Sequence, residues 1–318
     1  MAQTIENLKL KMISYIYFGL INRFKYYKLI LFSFLMSDKK YIENRFYESF
    51  GRKIDLKAVK TFNEKLQWLK LYDRKKVHQD LVDKFKVRSY VSKKIGKEYL
   101  NTIFGVYYDF KSFDRDYPNL PNRFIIKASH ASGWNYFVDK STVKKDIMEK
   151  TIKRWFRQNF YFYGREWVYK NIKKSIIVEE IIEPINPTHI VPRDYRFFCF
   201  NGEPKFIALD IGTYISKNVN DNGELISKRE RNIYSLDWNK INVKIKHPLI
   251  DEKIPKPKKI NEMILLSRKL SKNLKFARID FYCEEKVIFG EITFFPGNGF
   301  QKITPYKFDL KFGQYLDI

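Results

Sequence analysis

The stretch from Phe276 to Phe294 constrains the fold of this chain more than any other. Its two halves, Phe276–Cys283 and Val287–Phe294, are rich in β-branched and aromatic residues and flank the polar turn Glu284–Lys286. That pattern predicts an antiparallel hairpin. Side chains alternate along a strand, so Arg278 and Asp280 share one face, as do Glu291 and Thr293. Pairing across the turn brings Asp280 and Glu291 within reach of one ion. Two carboxylates and a hydroxyl form a hard, oxygen-rich site suited to Mg²⁺, which nucleotide phosphates would complete. The turn Pro296–Gly299, with Asn298, follows at once and offers backbone donors beside the ion. An ordinary surface hairpin would also explain the carboxylates. It would not explain the apolar residues around them: Phe281, Ile288, Phe289, Ile292 and Phe294.

Two further segments carry charge inside apolar runs. Phe124–Ser129 reads as a short buried strand, and Lys127 lies near its end. A lysine there is costly unless it meets an anion. The small-residue loop Ser129, His130, Ala131, Ser132, Gly133 follows and can turn backbone N–H groups toward phosphate. It is not a Walker A motif, since no GxxxxGK[ST] occurs in the chain. An edge-strand lysine reaching solvent is an equal reading. In Ser175–Ile182, Glu179 and Glu180 interrupt a run of Ile and Val. Such a strand suits a hinge that meets an adenine amino group, or simply an exposed sheet face.

The rest of the chain sets the organisation. Ser37 and Asp38 can cap a helix that ends at Gly51. Thr61 with Glu64 forms a capping box for a second. Residues 80–95 predict a third, ending at Gly96. After about residue 100, strands alternate with turns and with a long basic helix over 140–158. The segment 114–121 reads as a loop. A hairpin is expected over 195–210, and 217–231 is expected to be a mobile polar loop. A helix over 261–274 precedes the final hairpin. This order argues α+β or α/β architecture with a mixed sheet. Four regions are expected: a basic amphipathic segment (1–36), a helical region (37–100), a smaller α/β lobe (101–183) and a larger C-terminal lobe (184–318).

Residues 9–36 hold five basic residues and no acidic one, and their apolar runs are too short to span a bilayer. No small-residue cleavage site follows the first run, so a secretory signal is not expected. A helix lying on the cytoplasmic face of a membrane fits, as does one packed on the protein's own core. Lys and Arg number 61 against 36 Asp and Glu, a net charge of +25, which favours acidic partners. Two cysteines and four scattered histidines exclude a disulfide scaffold and a typical zinc centre, and fit a reducing, cytoplasmic location.

Taken in order, these signals resemble the ATP-grasp superfamily, and within it the TupA-like family of surface-polysaccharide biosynthesis. The runs that carry the resemblance are 60–70, 83–91, 127–135, 193–202 and the hairpin to Gly299, covering roughly residues 38–305. The resemblance implies an ATP-grasp fold of two lobes clasping ATP. It gives Lys84 and Lys127 to the phosphates, with Ser129, His130, Ser132 and Gly133 closing over them. Glu179, Glu180 and Ile181 would meet adenine, and Asp194 the ribose. Asp280, Glu291 and Thr293 would hold Mg²⁺. Many family members carry Asn where Thr293 stands, which weakens that third ligand. Arg278 would act with Lys127 in catalysis and face the acceptor, beside Arg196 and Asn298. Asp210 and Arg231 are weaker acceptor-site candidates.

The implied reaction joins a carboxylate to an amine through an acyl phosphate, with an acidic sugar or polysaccharide as acceptor. Nucleic acid is not an expected partner. The main alternative is a glycosyltransferase, because Asp114-Arg115-Asp116 is a D-x-D. A second is a non-enzymatic nucleic-acid or membrane binder using the basic, aromatic stretch 150–174.

Overall fold

The computed structural model describes residues 23–219 and 225–318. The expectations for 1–22 therefore lie outside the described residues. Five helices come first: α1 over residues 23–35, α2 (Asp38–Phe50), α3 (Phe62–Tyr72), α4 (Lys76–Val82) and α5 (Val87–Lys94). Ser37 caps α2, and Gly51 ends it in the left-handed region at φ 69°. Thr61 and Glu64 form the expected capping box of α3.

The single helix expected over 80–95 is two. Asp83 breaks it: its Oδ1 accepts from the backbone N–H groups of Phe85 and Lys86, and from the Ser129 hydroxyl. A side chain that satisfies two amides locally competes with helix propagation.

The smaller lobe contains β1 (Ile103–Tyr107), α6 (Phe110–Asp116), β2 (Arg123–Ala128), β3 (Asn135–Asp139), α7 (Lys145–Arg157), α8 (Tyr161–Gly164) and β4 (Ile176–Glu179). Its sheet runs β1-β4-β2-β3. Phe124, Ile126, Tyr136 and Val138 of the sheet pack against Met148 and Ile152 of α7. The loop expected over 114–121 is instead the end of α6 and a 3₁₀ turn, because Asp109 caps the helix through Ser112 N–H. The basic helix begins later than expected, at Lys145.

The larger lobe holds β5 (His189–Phe200), β6 (Glu203–Val219), β7 (Leu225–Tyr234), β8 (Lys240–Ile241), α9 (Ile260–Ser271), β10 (Phe276–Cys283) and β11 (Val287–Thr293). The sheet order is β11-β10-β5-β6-β7-β8. A short pair joins β9 (Lys244–Ile245) to β12 (Ile303–Thr304), and α10 (Lys307–Gln314) ends the chain. Every strand pairing among the described residues is antiparallel, so the sheets are not mixed. The polar segment over 217–231 is largely strand: it contributes the end of β6 and most of β7, with 220–224 outside the described residues.

Helices α3–α5 and the larger sheet share one core. Phe62 meets the rings of Phe200 and Phe276 at centroid distances of 5.5 and 5.1 Å. Full burial of such a ring contributes about 1.5–3 kcal/mol. Asn63 N–H also donates to Asp309 Oδ1 of α10 at 3.0 Å. These contacts fix the start of α3 to the larger lobe.

Candidate functional site

The larger sheet presents a polar stripe across five strands. Antiparallel register places Glu291 opposite Asp280 and Thr293 opposite Arg278. Asp280 in turn faces Arg196, and Tyr282 faces Asp194. Asp194 pairs with Asp210, and Asp210 with Arg231. Paired residues point to the same face, and so do positions two apart. The stripe therefore floors one cavity of about 520 Å³. A bulge at Gly290 sits between Phe289 and Glu291, where an added Cβ would lie 3.1 Å from the Asp280 carbonyl. The close backbone approach favours glycine, and the bulge re-aims Glu291.

Arg278 is the hub of the stripe. Its Nε donates to Asp280 Oδ1 at 2.7 Å, and Nη2 donates to Glu291 Oε1 and to Thr293 Oγ1, both at 3.0 Å. The Thr293 hydroxyl donates to Glu291 Oε1 at 2.9 Å. Burial pushes the Asp280 carboxyl up to about 7, although Arg278 pulls the other way. Burial would also raise the Glu291 carboxyl, but Lys84 and Arg278 outweigh it and hold it below its ordinary value. Next along, Arg196 donates to Asp194 Oδ2 at 2.6 Å and lies 2.9 Å from Asp210. Arg231 holds Asp210 with two bonds, and Arg196 together with Arg231 keeps that carboxyl far below its usual range against the effect of burial.

The smaller lobe supplies the facing wall. Lys127 Nζ donates to Glu179 Oε2 at 2.6 Å, with both side chains mostly buried. Lys84, carried by the turn after α4, donates to the Ala131 carbonyl. Burial lowers its ammonium, while Glu291 raises it. Lys84, Lys127, Ser132, Gly133, Glu179, Glu180 and Ile181 all line the cavity opposite the stripe. Two lining acceptors, Asp194 Oδ1 and Asn135 Oδ1, are buried without a hydrogen-bond donor.

A family model described as TupA-like ATPgrasp matches residues 64–317. The chain belongs to the TupA-like ATP-grasp family. Its two lobes and the cavity between them are thus an ATP-grasp fold. The family's match begins after α2, so α1 and α2 precede it. No curated protein matches the chain. Solved structures with similarity include the ATP-grasp ligase PsnB complexed with a minimal precursor (9% identity, TM-score 0.36, 70% of this chain and 55% of that one). Others are a D-alanine–D-alanine ligase from Bacillus anthracis (13%, 0.36, 67% and 56%) and the VanG D-Ala:D-Ser ligase from Enterococcus faecalis (14%, 0.39, 67% and 52%). The chain thus spans just over half the length of these proteins.

Within this TupA-like chain the cavity gathers most of the residues singled out in the sequence, but not all. Ser129 and His130 do not line it. The Ser129 hydroxyl is turned to Asp83. His130 is buried, with Nε2 3.0 Å from the Trp155 carbonyl and Nδ1 3.2 Å from the Ser175 carbonyl. Both residues tie the loop to its own lobe. Asn298 also lies off the cavity; its carbonyl accepts from Lys70 and Gln67 at 2.7 and 2.9 Å. The Thr293 hydroxyl is occupied by Arg278 and Glu291. Among the described residues no group of three His, Cys, Asp or Glu side chains could hold a metal ion. A cation here would have two protein carboxylates and would take its other oxygens from phosphate and water. Asp114 pairs with Lys145 and Asp116 with Arg115 on α6, and neither lines the cavity. The D-x-D thus gains no geometric support.

Arg88, Tyr282, Arg229, Lys246 and His247 also line the cavity, although none of them is a candidate from the sequence alone. Arg229 is two residues before Arg231, so strand alternation could have found it. Lys246 and His247 sit in a turn with no motif to mark them.

Proposed function

We propose that this protein is an ATP-dependent carboxylate–amine ligase. It would modify an acidic sugar of a cell-surface or capsular polysaccharide, or a precursor of one, with an amine or amino acid. The observation that carries this reading is the Arg278–Asp280–Glu291 cluster facing Lys84 and Lys127 across one cavity. The residues fit Mg·ATP. Asp280 and Glu291 are the oxygen donors Mg²⁺ prefers, and the Arg278 guanidinium supplies the positive charge between them in this structure. Bound Mg²⁺ would neutralise charge on phosphate oxygens. Lys84 and Lys127 would hold those phosphates, with the backbone of Ser132 and Gly133 above them. The unpartnered Asp194 Oδ1 is suited to accept from a ribose hydroxyl. Glu179 and the Ile181 backbone would meet adenine.

In the reaction, a carboxylate oxygen of the acceptor takes the γ-phosphoryl group and ADP leaves. The amine nitrogen then attacks the acyl carbon, the C–O bond to phosphate breaks, and the amine proton passes to solvent. Positioning and positive field suffice for both steps, and no nucleophilic side chain is needed.

Thermal shift tests the reading. At about 100 times its dissociation constant, Mg·ATP should stabilise the protein by roughly 2.7 kcal/mol. Lys127→Ala should abolish that shift. An undiminished shift in the variant, or a shift only with Mn·UDP-sugar, would overturn the proposal.

Contact with an anionic bilayer is a further part of the proposal. On α1, Phe34 and Leu35 are 82% and 74% exposed, and Phe24, Tyr27 and Leu31 are exposed beside Arg23, Lys25 and Lys28. An apolar face with only basic flanks suits an anionic surface. No described helix is long and apolar enough to cross a membrane. Mixed phosphatidylcholine–phosphatidylglycerol vesicles should sediment the protein, and pure phosphatidylcholine should not. Phe34→Ser with Leu35→Ser should release it. Equal sedimentation of variant and parent would place the contact elsewhere.

A further inference from the structure

The cavity has a second charged end, remote from Arg278, whose positive charge is not neutralised. Arg196, midway along the stripe beside Asp280, and Arg231, at that end, are matched by Asp194 and Asp210. Arg229 and Lys246 are not: neither has an acidic partner among the described residues, and both line the cavity. The register explains the first. Arg229 lies opposite Gly212, so the position directly across from it on β6 offers no side chain. The second is held in place by an unusual turn. Lys246 adopts φ 66°, in the left-handed region that a lysine rarely occupies. The turn around it is pinned on both sides: His247 N–H donates to the Ile245 carbonyl at 2.8 Å, and Arg231 N–H donates to the Pro248 carbonyl at 2.8 Å. Burial lowers the Lys246 ammonium, and Arg231, Arg196 and Arg229 lower it further against the opposing pull of Asp210. A backbone held in a strained conformation that gathers like charges is a cost to the folded state, and such strain concentrates at binding sites.

We propose that Arg229, Lys246 and the adjoining edge of Arg231 form a second anion subsite, which takes a carboxylate or phosphate of the acceptor other than the reacting carboxylate. The proposal rests on the ligase reading only in that the acceptor enters this cavity. Three strand intervals separate β10 from β7, a span of about 14 Å. An acceptor that reaches both ends is therefore extended and carries at least two anionic groups. A single small amino acid or monosaccharide would leave the second end empty. The site thus selects for a polyanion, either a run of uronate carboxylates or a diphosphate-linked sugar.

Titration of the whole protein with oligogalacturonate and with inorganic pyrophosphate, each with and without Mg·ADP, tests this. At least one probe should bind, and Mg·ADP should not displace it. Tighter binding of oligogalacturonate would identify the group as a polymer carboxylate; tighter binding of pyrophosphate would identify a diphosphate. Arg229→Gln with Lys246→Gln should weaken the probe by about tenfold or more, since two charge-assisted contacts are lost. Mg·ATP affinity should be unchanged in that variant.

His247 gives a second readout. Burial and Arg231 push its ring down to about 4, with Lys246 and Arg196 adding to this and Asp210 opposing it. A bound anion favours the charged imidazole, so its NMR titration midpoint should rise with the probe present. Equal affinity in the double variant, displacement by Mg·ADP, or no binding of either probe would overturn the subsite. Loss of the ligase reading would look different: no thermal shift with Mg·ATP, with probe binding intact.

Discussion

Arg278→Met should lower stability by about 3–5 kcal/mol at pH 8, because it strips the partner from buried carboxylates. The expected loss is large for a fold whose total stability is about 5–15 kcal/mol. Arg278 is the one group that touches Asp280, Glu291 and Thr293 together. Without it, two acids on directly opposed strand positions face each other. Their mutual repulsion raises the folded-state carboxyl value above the unfolded one. A raised carboxyl costs stability as pH climbs from the ordinary carboxylate range to the folded value. Asp280 already stands at about 7 in the parent. The deficit of the variant should therefore be greatest above pH 7 and shrink toward pH 5. Chemical denaturation at both values reads it. Mg²⁺ or Mn²⁺ without nucleotide should restore the melting temperature of the variant more than it raises that of the parent, since Arg278 no longer competes for the carboxylates. A variant equally unstable at both pH values and indifferent to the cations would show that the carboxylates are not a cation site.

The hairpin behind this prediction was readable because its information is local. Period-two alternation and a polar turn mark the two strands, but not the final register: regular pairing from the turn would set Asp280 opposite Gly290, and it is the bulge there that brings Glu291 opposite Asp280. The capping box at Thr61 and Glu64 is local in the same sense. What could not be read depends on distant partners. Asp83 splits a helix whose spacing is otherwise sound, and one of its partners, Ser129, lies in another lobe. His130 sits in a loop of small residues of the kind that meets phosphate. Its ring is claimed instead by the carbonyls of Trp155 and Ser175. The segment 217–231 reads as a loop because both faces of β7 are polar there: Arg229 and Arg231 line the cavity, and Lys228, Glu230 and Asn232 alternate with them. Arg229 and Arg231 occupy the positions where a sheet packed on a core would place Val or Ile. A functional face thus erases the alternation by which strands are recognised.

Glu291→Gln separates chemistry from folding more cleanly than any change at Asp280. Asp280 gives both its oxygens to Arg278 and is fully enclosed, so its loss harms fold and activity together. Glu291 is different. Only its Oε1 is bound, to Arg278 and Thr293, and the side chain remains 31% exposed toward the cavity. A glutamine oxygen can accept the same two bonds, so the stability change should stay within about 1 kcal/mol. What is removed is the negative charge that Lys84 and Arg278 together stabilise. That charge is what a divalent cation on the nucleotide phosphates would meet. ADP release with a uronate acceptor and an amine should fall by about a hundredfold to a thousandfold, the usual effect of losing one preorganised electrostatic contact at a transition state. On the proposed reading the loss should appear mainly in kcat, because Lys84 and Lys127 would still hold the ground-state phosphates. Glu291→Asp keeps the charge but withdraws it by one methylene, and should recover part of the rate. Full activity in the glutamine variant would move the reacting phosphates away from β11, and with them the role given to Arg278.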